Sequence, residues 1–289
     1  MTTTPSRHVL ALLCVGATAL ALSACAGDDA TGGQDEVSAD CEPVAEFDTA
    51  IDSTLTVAAI QQLPGIDVDV NTGELSGLDS VLLTRFAEEN CLELDAQPLP
   101  GAAATAAMTE GRADIGGGGW YKTEPRGEIL GQSETLWYDQ VGIVSMDGLD
   151  SIDALDSKRV GVVGGSLFEE PLAETLGSNN VVSYQSIDAI FNDLESGRLD
   201  AAMGAGATLT IQVADRGNDD LQVEVLDPDP DHEVLTTPGE PNYPYTKDNE
   251  ELGAALDDFI VRAKDEGLIR DALAEYGVIS EAALEGPEQ

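Results

Sequence analysis

Hydrophobic positions along this chain follow two periods, one suited to strands and one to helices, and the two succeed each other in the same order twice. The β-rich run Leu55-Thr56-Val57-Ala58-Ala59-Ile60 opens the first copy, and Leu78, Leu82 and Phe86 then recur every four residues. That spacing predicts an amphipathic helix. A strand over 92–96, an Ala-rich helix over 102–110 stopped by Gly111, and a strand over 112–116 complete the set. The second copy begins at Lys158-Arg159-Val160-Gly161-Val162-Val163 and continues with a helix over 167–176 and a strand over 181–184. Its last helix is the clearest: Ser186 caps it, Ile187, Ile190, Phe191 and Leu194 mark one face, and Gly197 ends it. Both copies finish alike, in Gly111-Arg112-Ala113-Asp114 and Gly197-Arg198-Leu199-Asp200.

Strand-helix-strand-helix-strand, met twice, predicts two doubly wound α/β lobes. After the second copy, Asp227-Pro228-Asp229-Pro230-Asp231 breaks all periodicity. Two amphipathic helices close the chain, one around Leu252, Leu256, Phe259 and Ala263, the other over 268–276. They lack strands of their own, which places them back on the first lobe. The chain then crosses between lobes twice, near 137–145 and 234–246, and two lobes on two crossing strands form a hinge over a cleft. The expected fold class is α/β, two doubly wound lobes joined by a two-strand hinge.

The start of the chain reads as a targeting segment. Arg7 and His8 precede an apolar run over 9–22 that ends in Leu22-Ser23-Ala24-Cys25. The run is too short for a comfortable membrane span, and small residues stand where a secretory signal is cleaved. Leu-Ser-Ala-Cys resembles the bacterial lipobox, which implies lipidation at Cys25 and a membrane contact by lipid anchor only. The stretch after it, rich in Gly and Asp, reads as a flexible tether. The chain divides into a lipoprotein signal peptide at 1–24, a tether at 25–50, one lobe from 51–140 with 238–283, and a second lobe at 141–237. Cys14 leaves with the signal, so Cys41 and Cys91 remain in an oxidising compartment as an expected disulfide.

Charge narrows the partners. With 13 Lys+Arg against 55 Asp+Glu, a formal −42, the surface repels nucleic acid and anionic headgroups. Hydrophobic residues at 42% are enough for a core, so the acidity reads as a solvated surface, of a kind suited to salt.

From about residue 54 to 278 the order of elements resembles the extracytoplasmic solute-binding proteins of polar amino acid ABC transporters (solute-binding protein family 3, periplasmic binding protein type II). The matching segments are Leu55-Thr56-Val57-Ala58, Ser76-Gly77-Leu78-Asp79, Glu110-Gly111-Arg112-Ala113-Asp114, Gly119 to Arg126, Val160-Gly161-Val162, Gly165-Ser166 and Gly197-Arg198-Leu199-Asp200-Ala201, with Lys247 to Leu252 and the closing helices. The resemblance implies a Venus-flytrap fold and an extracytoplasmic lipoprotein that hands a small solute to an ABC permease and its ATPase.

The candidate site lies in Asp114-Ile115-Gly116-Gly117-Gly118-Gly119-Trp120-Tyr121-Lys122-Thr123-Glu124-Pro125-Arg126. Glycines at a strand end let a ligand approach the backbone, and Arg126 can hold a carboxylate through two parallel hydrogen bonds. The resemblance assigns the ligand carboxylate to Arg126 and its amino group to Gly119 and Tyr121. The alternative is a surface Arg paired with Glu124 or Glu128. Gly165-Ser166 precedes a helix, where free N–H groups favour an anion, and the resemblance gives it the same carboxylate; a plain helix cap at Ser166 is the other reading. Trp120 is expected beside Gly119 in the pocket, and Trp137 and Tyr138 in hinge packing.

One departure bears on the solute. Where the family has an Asp for the ligand ammonium, this chain has Ala205, and Tyr121 replaces a Thr. Burying a cationic amine without a carboxylate is costly, so a carboxylate with a delocalised, substituted or absent amine fits better. Catalysis is poorly supported: past the signal the only His is His232, far from any nucleophile signature, and neither a metal site nor a cofactor motif is marked. The expected protein is a monomeric solute receptor and not an enzyme. A dehydratase-like enzyme on the same fold and a ligand-presenting sensor are the alternatives.

Overall fold

A computed structural model describes residues 40–286; the signal peptide at 1–24, the lipidation site Cys25 and the tether up to residue 39 lie outside the described residues. Lobe 1 opens with β1 (Thr54–Ala59), buried on both faces from Leu55 to Ala59, which is why its sequence is a continuous β-rich run and not an alternation. A hairpin, β2 (Asp67–Val68) and β3 (Leu75–Ser76), leads into α1 (Leu78–Glu89). This helix buries Leu78, Leu82, Leu83 and Phe86, the face its four-residue spacing predicts. Next come β4 (Glu93–Pro98), α2 (Gly101–Thr109) and β5 (Ile115–Gly117), and β4 and β5 flank β1 in parallel. The strand expected at 112–116 starts later because Arg112 and Ala113 still donate their N–H groups to Ala107 O at the end of α2. Three short elements follow, β6 (Trp120–Tyr121), α3 (Glu124–Ile129) and β7 (Gly131–Gln132).

Lobe 2 contains β8 (Val141–Ser145), β9 (Val160–Val163), α4 (Glu169–Leu176), β10 (Val181–Tyr184) and α5 (Ile187–Glu195). It continues with β11 (Ala201–Ala205), α6 (Gly206–Arg216) and β12 (Gln222–Val225). Its sheet runs β10-β9-β11-β8-β12, parallel around β9 and antiparallel around β8. Ser186 caps α5 as its position predicts, accepting from Ala189 N at 3.3 Å, and Ile190, Phe191 and Leu194 are buried.

A single turn, α7 (Glu233–Thr236), precedes the return through β13 (Pro241–Asn242) and β14 (Pro244–Tyr245), which restore the chain to lobe 1. The lobe 1 sheet is thereby β4-β1-β5-β14-β7. Helices α8 (Glu250–Asp265), α9 (Leu268–Ala274) and α10 (Glu281–Glu285) end the chain. Leu252, Leu256, Phe259, Ile260 and Leu273 share one core with α1 and β1. The two crossings meet at Asp139 and Gly239, which exchange both backbone hydrogen bonds at 2.9 Å.

The tether expected at 25–50 is not free over its last ten residues. Cys41 is bonded to Cys91, Val44 N donates to Glu89 O, Ala45 N to Asn90 Oδ1 and Ala50 N to Asp114 Oδ1. Phe47 stacks on Phe86 with ring centroids 5.8 Å apart. Val44, Ala45 and Phe47 are the apolar residues that the Gly- and Asp-rich stretch lacks, and burial of Phe47 on α1 turns this part into a strap. The disulfide spans 50 residues. Chain-entropy reasoning gives it about 4 kcal/mol, so the Cys41→Ser, Cys91→Ser chain is expected to melt roughly 10 °C lower in a thermal scan.

Candidate functional site

The glycine loop between β5 and α3 is held from beneath by a buried acid. Gly118 has a positive φ of 95°, and a Cβ there would run into the Ile60 carbonyl, so only glycine fits. Asp79, at the start of α1, accepts a hydrogen bond from Gly118 N at 2.7 Å and another from Tyr243 OH at 3.0 Å. Burial pushes its carboxyl up to about 6 despite both donors. The space before Gly119 is open, with only Gln62 Nε2 at 3.9 Å from where a side chain would begin.

Arg126 is built into this loop. Thr123 caps α3 by accepting from Arg126 N at 3.3 Å, which fixes the first turn. Arg126 Nη1 donates to Tyr121 O at 2.6 Å, and the guanidinium carbon lies 5.1 Å above the Trp120 ring centre. None of the ion pairs among the described residues includes Arg126, so the pairing with Glu124 or Glu128 is not formed. Burial, partly offset by Tyr121, holds its pKa below the ordinary guanidinium range. The side chain is half-buried, which leaves donors available in a partly desolvated place. Trp120 is itself buried in a small core with Ala104, Met108 and Leu130, and its Nε1 donates to Gly117 O at 3.1 Å. Its ring is therefore a platform under Arg126.

Tyr121 points its hydroxyl to Asp139 on the outgoing crossing, with Tyr121 OH donating to Oδ2 at 2.8 Å. The other oxygen accepts from Ala207 N, in the first turn of α6, at 3.4 Å. Burial outweighs these two donors and raises the Asp139 carboxyl to about 7. Burial, with the neighbouring carboxylate, keeps Tyr121 protonated.

On lobe 2, Gly165 N donates to Glu169 Oε2 at 2.6 Å, so the chain's own carboxylate occupies part of this anion-favouring turn. Ser166 does not cap α4, which begins at Glu169; its Oγ is buried and has no hydrogen-bond partner among the described residues. An unpaired buried hydroxyl is costly, and a ligand oxygen would satisfy it. No hydrogen bond joins this turn to the Arg126 loop.

The lobes touch nonetheless. Thr208 Oγ1 donates to Leu63 O at 3.3 Å and accepts from Gln62 Nε2 at 3.5 Å. Beside this contact lies a pocket of about 290 Å³ between the lobes, lined by Gln61, Gln62, Leu63 and Asp67 on one side and Ile187, Thr208, Gln212 and Asp215 on the other. Arg126 and Tyr121 are not among its walls. Trp137 belongs to the lobe 1 core, and Tyr138 packs at the hinge with its N–H on Ala283 O at 2.7 Å. Among the described residues no metal-binding cluster exists, and His232 faces the exposed Asp153 at 3.3 Å.

Asp79, Asp139 and Thr208 carry no role in the sequence reading. In a chain with 55 acids a single carboxylate does not stand out, and the only available sign was that Asp139 sits within the first crossing.

Residues 55–278 match the bacterial extracellular solute-binding proteins, family 3. The chain belongs to this family. It is a solute-binding protein of the extracytoplasmic side. The lysine/arginine/ornithine-binding periplasmic protein of Escherichia coli (strain K12) is 34% identical over 86 residues, 28% of this chain and 33% of that relative. The chain thus matches about a third of the length of that curated protein. Among solved structures, an ancestral arginine-binding protein bound to arginine superposes with a TM-score of 0.63 at 23% identity, covering 78% of this family member and 98% of the other chain. The arginine-, lysine-, histidine-binding protein of Geobacillus stearothermophilus does so with a TM-score of 0.63 at 19% identity, covering 79% and 97%. These likenesses place the family member in the two-lobed type II periplasmic binding fold.

Proposed function

We propose that this family member is the binding component of an ABC importer, tethered by a lipid on Cys25 after loss of residues 1–24, and that it closes as a monomer on a small carboxylate-bearing solute. The observation that carries this reading is Arg126: a half-buried guanidinium, braced by Tyr121 O and the Trp120 ring, without an ion pair among the described residues of a strongly acidic chain. Gly119 offers open space beside it, and the unsatisfied Ser166 hydroxyl supports a second contact from lobe 2. A permease and its ATPase are the partners this role requires.

The amino end of the solute differs from that of an ordinary α-amino acid. Ala205 offers no carboxylate, and both oxygens of Asp139 are engaged by Tyr121 and Ala207. At the Ala205 position a primary ammonium would have no carboxylate from that residue, and burying it there without a counter-charge costs several kcal/mol. The solute therefore carries a carboxylate with a substituted, delocalised or absent amine. In a thermal-shift panel, betaines and keto acids are expected to raise the melting temperature and L-arginine to raise it less. Stabilisation by L-arginine above every other compound would reject this solute class, and no shift with any carboxylate would reject the site.

A further inference from the structure

Two tyrosine–aspartate pairs strap the glycine loop to the hinge. Tyr243, on the returning crossing, donates to Asp79, which also receives Gly118 N. Tyr121, in the loop, donates to Asp139 on the outgoing crossing. The second pair is also in contact with lobe 2, because Asp139 Oδ1 receives Ala207 N from α6. Opposite Asp139, Gly239 leaves room for the Tyr121 ring, since a Cβ there would overlap it. Tyr121 is thus wedged between the two crossings at the point where they pair.

We propose that Tyr121 and Asp139 are positioning residues that couple the Arg126 loop to lobe closure, and that a proton on Asp139 favours the closed arrangement. With the lobes in contact through Thr208 and Leu63, Asp139 is covered by Tyr121 from lobe 1 and α6 from lobe 2. Separating the lobes admits water to the carboxylate, so the charged form is better solvated in the open arrangement. The groups facing it are the neutral Tyr121 hydroxyl and the Ala207 N–H. Arg126 acts on Tyr121 in the same loop, Gly239 is uncharged, and Glu240 beyond it is bonded to Thr135 Oγ1 at 2.7 Å. Among the described residues no cation contacts the carboxylate to offset its burial.

The sign follows from linkage. The closed state holds the proton up to about 7 and the open state only to the ordinary carboxylate value, so closure strengthens as pH falls through about 7. The closed-to-open ratio of the ligand-free protein should be about tenfold higher at pH 6 than at pH 8. Small-angle scattering in molar salt reads this as a smaller radius of gyration at pH 6. Asp139→Asn, neutral at both values, is expected to show one radius throughout. Tyr121→Phe removes a donor to the carboxylate and is expected to move the midpoint to higher pH. A wild-type radius that ignores pH, or a wild-type profile shared by Asp139→Asn, would overturn the proposal. If Asp139→Asn does not fold, an unmoved midpoint in Tyr121→Phe does the same. The inference rests on the solute-capture reading only for its purpose: the measurement uses no solute, so a failed ligand panel with intact pH-dependent closure would sink that reading alone.

Discussion

Replacing Arg126 by Ala is expected to weaken binding of the best carboxylate from the thermal-shift panel on the order of a hundredfold, about 3 kcal/mol by calorimetry, with little change in melting temperature. Three features set this size. The guanidinium makes no ion pair among the described residues, so its donors are not already spent on a protein carboxylate. It is half-buried, where a charge-assisted bond is screened less than at the surface. It is also pre-positioned by the Thr123 cap and by Tyr121 O, so little rotamer entropy is lost on binding. Arg126→Lys keeps the charge but loses the planar fork, and an intermediate loss is expected. Equal affinity in all three proteins would show that the carboxylate lies elsewhere.

The second large effect concerns pH and stability. Asp79 has a folded carboxyl value of about 6 against an ordinary 3.8, and Asp139 about 7 against 3.8. Because both are raised, the folded chain binds more protons than the unfolded chain between these values, and stability increases as pH falls through about 7 and then 6. The charged form of Asp79 alone costs up to about 3 kcal/mol at pH 8. Asp79→Asn should recover most of this at pH 8 and nothing at pH 4, because the amide can satisfy the same two partners. Its oxygen accepts from Gly118 N, and its nitrogen donates to Tyr243, whose hydroxyl can reverse its role. Denaturant titrations at the two pH values check this. General repulsion among the acids has the same sign, and the comparison of wild type with Asp79→Asn separates the two. A variant less stable than wild type at pH 8 would mean that the carboxylate is needed charged.

Much of this was legible before any coordinates. The period-4 row Leu78, Leu82, Phe86 and the Ser186-capped row ending at Leu194 specify helices whose buried faces fall where the spacing puts them. The closing helices return to lobe 1 because their apolar faces had no other sheet to cover. What stayed hidden has a physical reason in each case. Helix α6 follows β11 without a loop, and Gly206 N is tied to Gln140 O of the hinge, a tertiary anchor that no local pattern reveals. The strap at 41–50 depends on a few apolar residues meeting Phe86, whose position is known only after α1 has packed. Arg126 was marked by its place after the glycines, but its Trp120 platform looked like a pocket wall because sequence shows adjacency and not which side of the loop a ring takes. Asp139 looked like one acid among many, and only the meeting of Tyr121, Ala207 and Gly239 around it distinguishes it.

Whether the two lobes enclose a carboxylate held by Arg126 is decided by a crystal structure with the most stabilising panel compound. The expected result is carboxylate oxygens at about 2.7–2.9 Å from the Arg126 guanidinium, the spacing of a charge-assisted hydrogen bond, with the Ser166 hydroxyl on the same group. A bound compound that leaves Arg126 on Tyr121 O alone and Ser166 unpaired, with its carboxylate held by other residues, would contradict it.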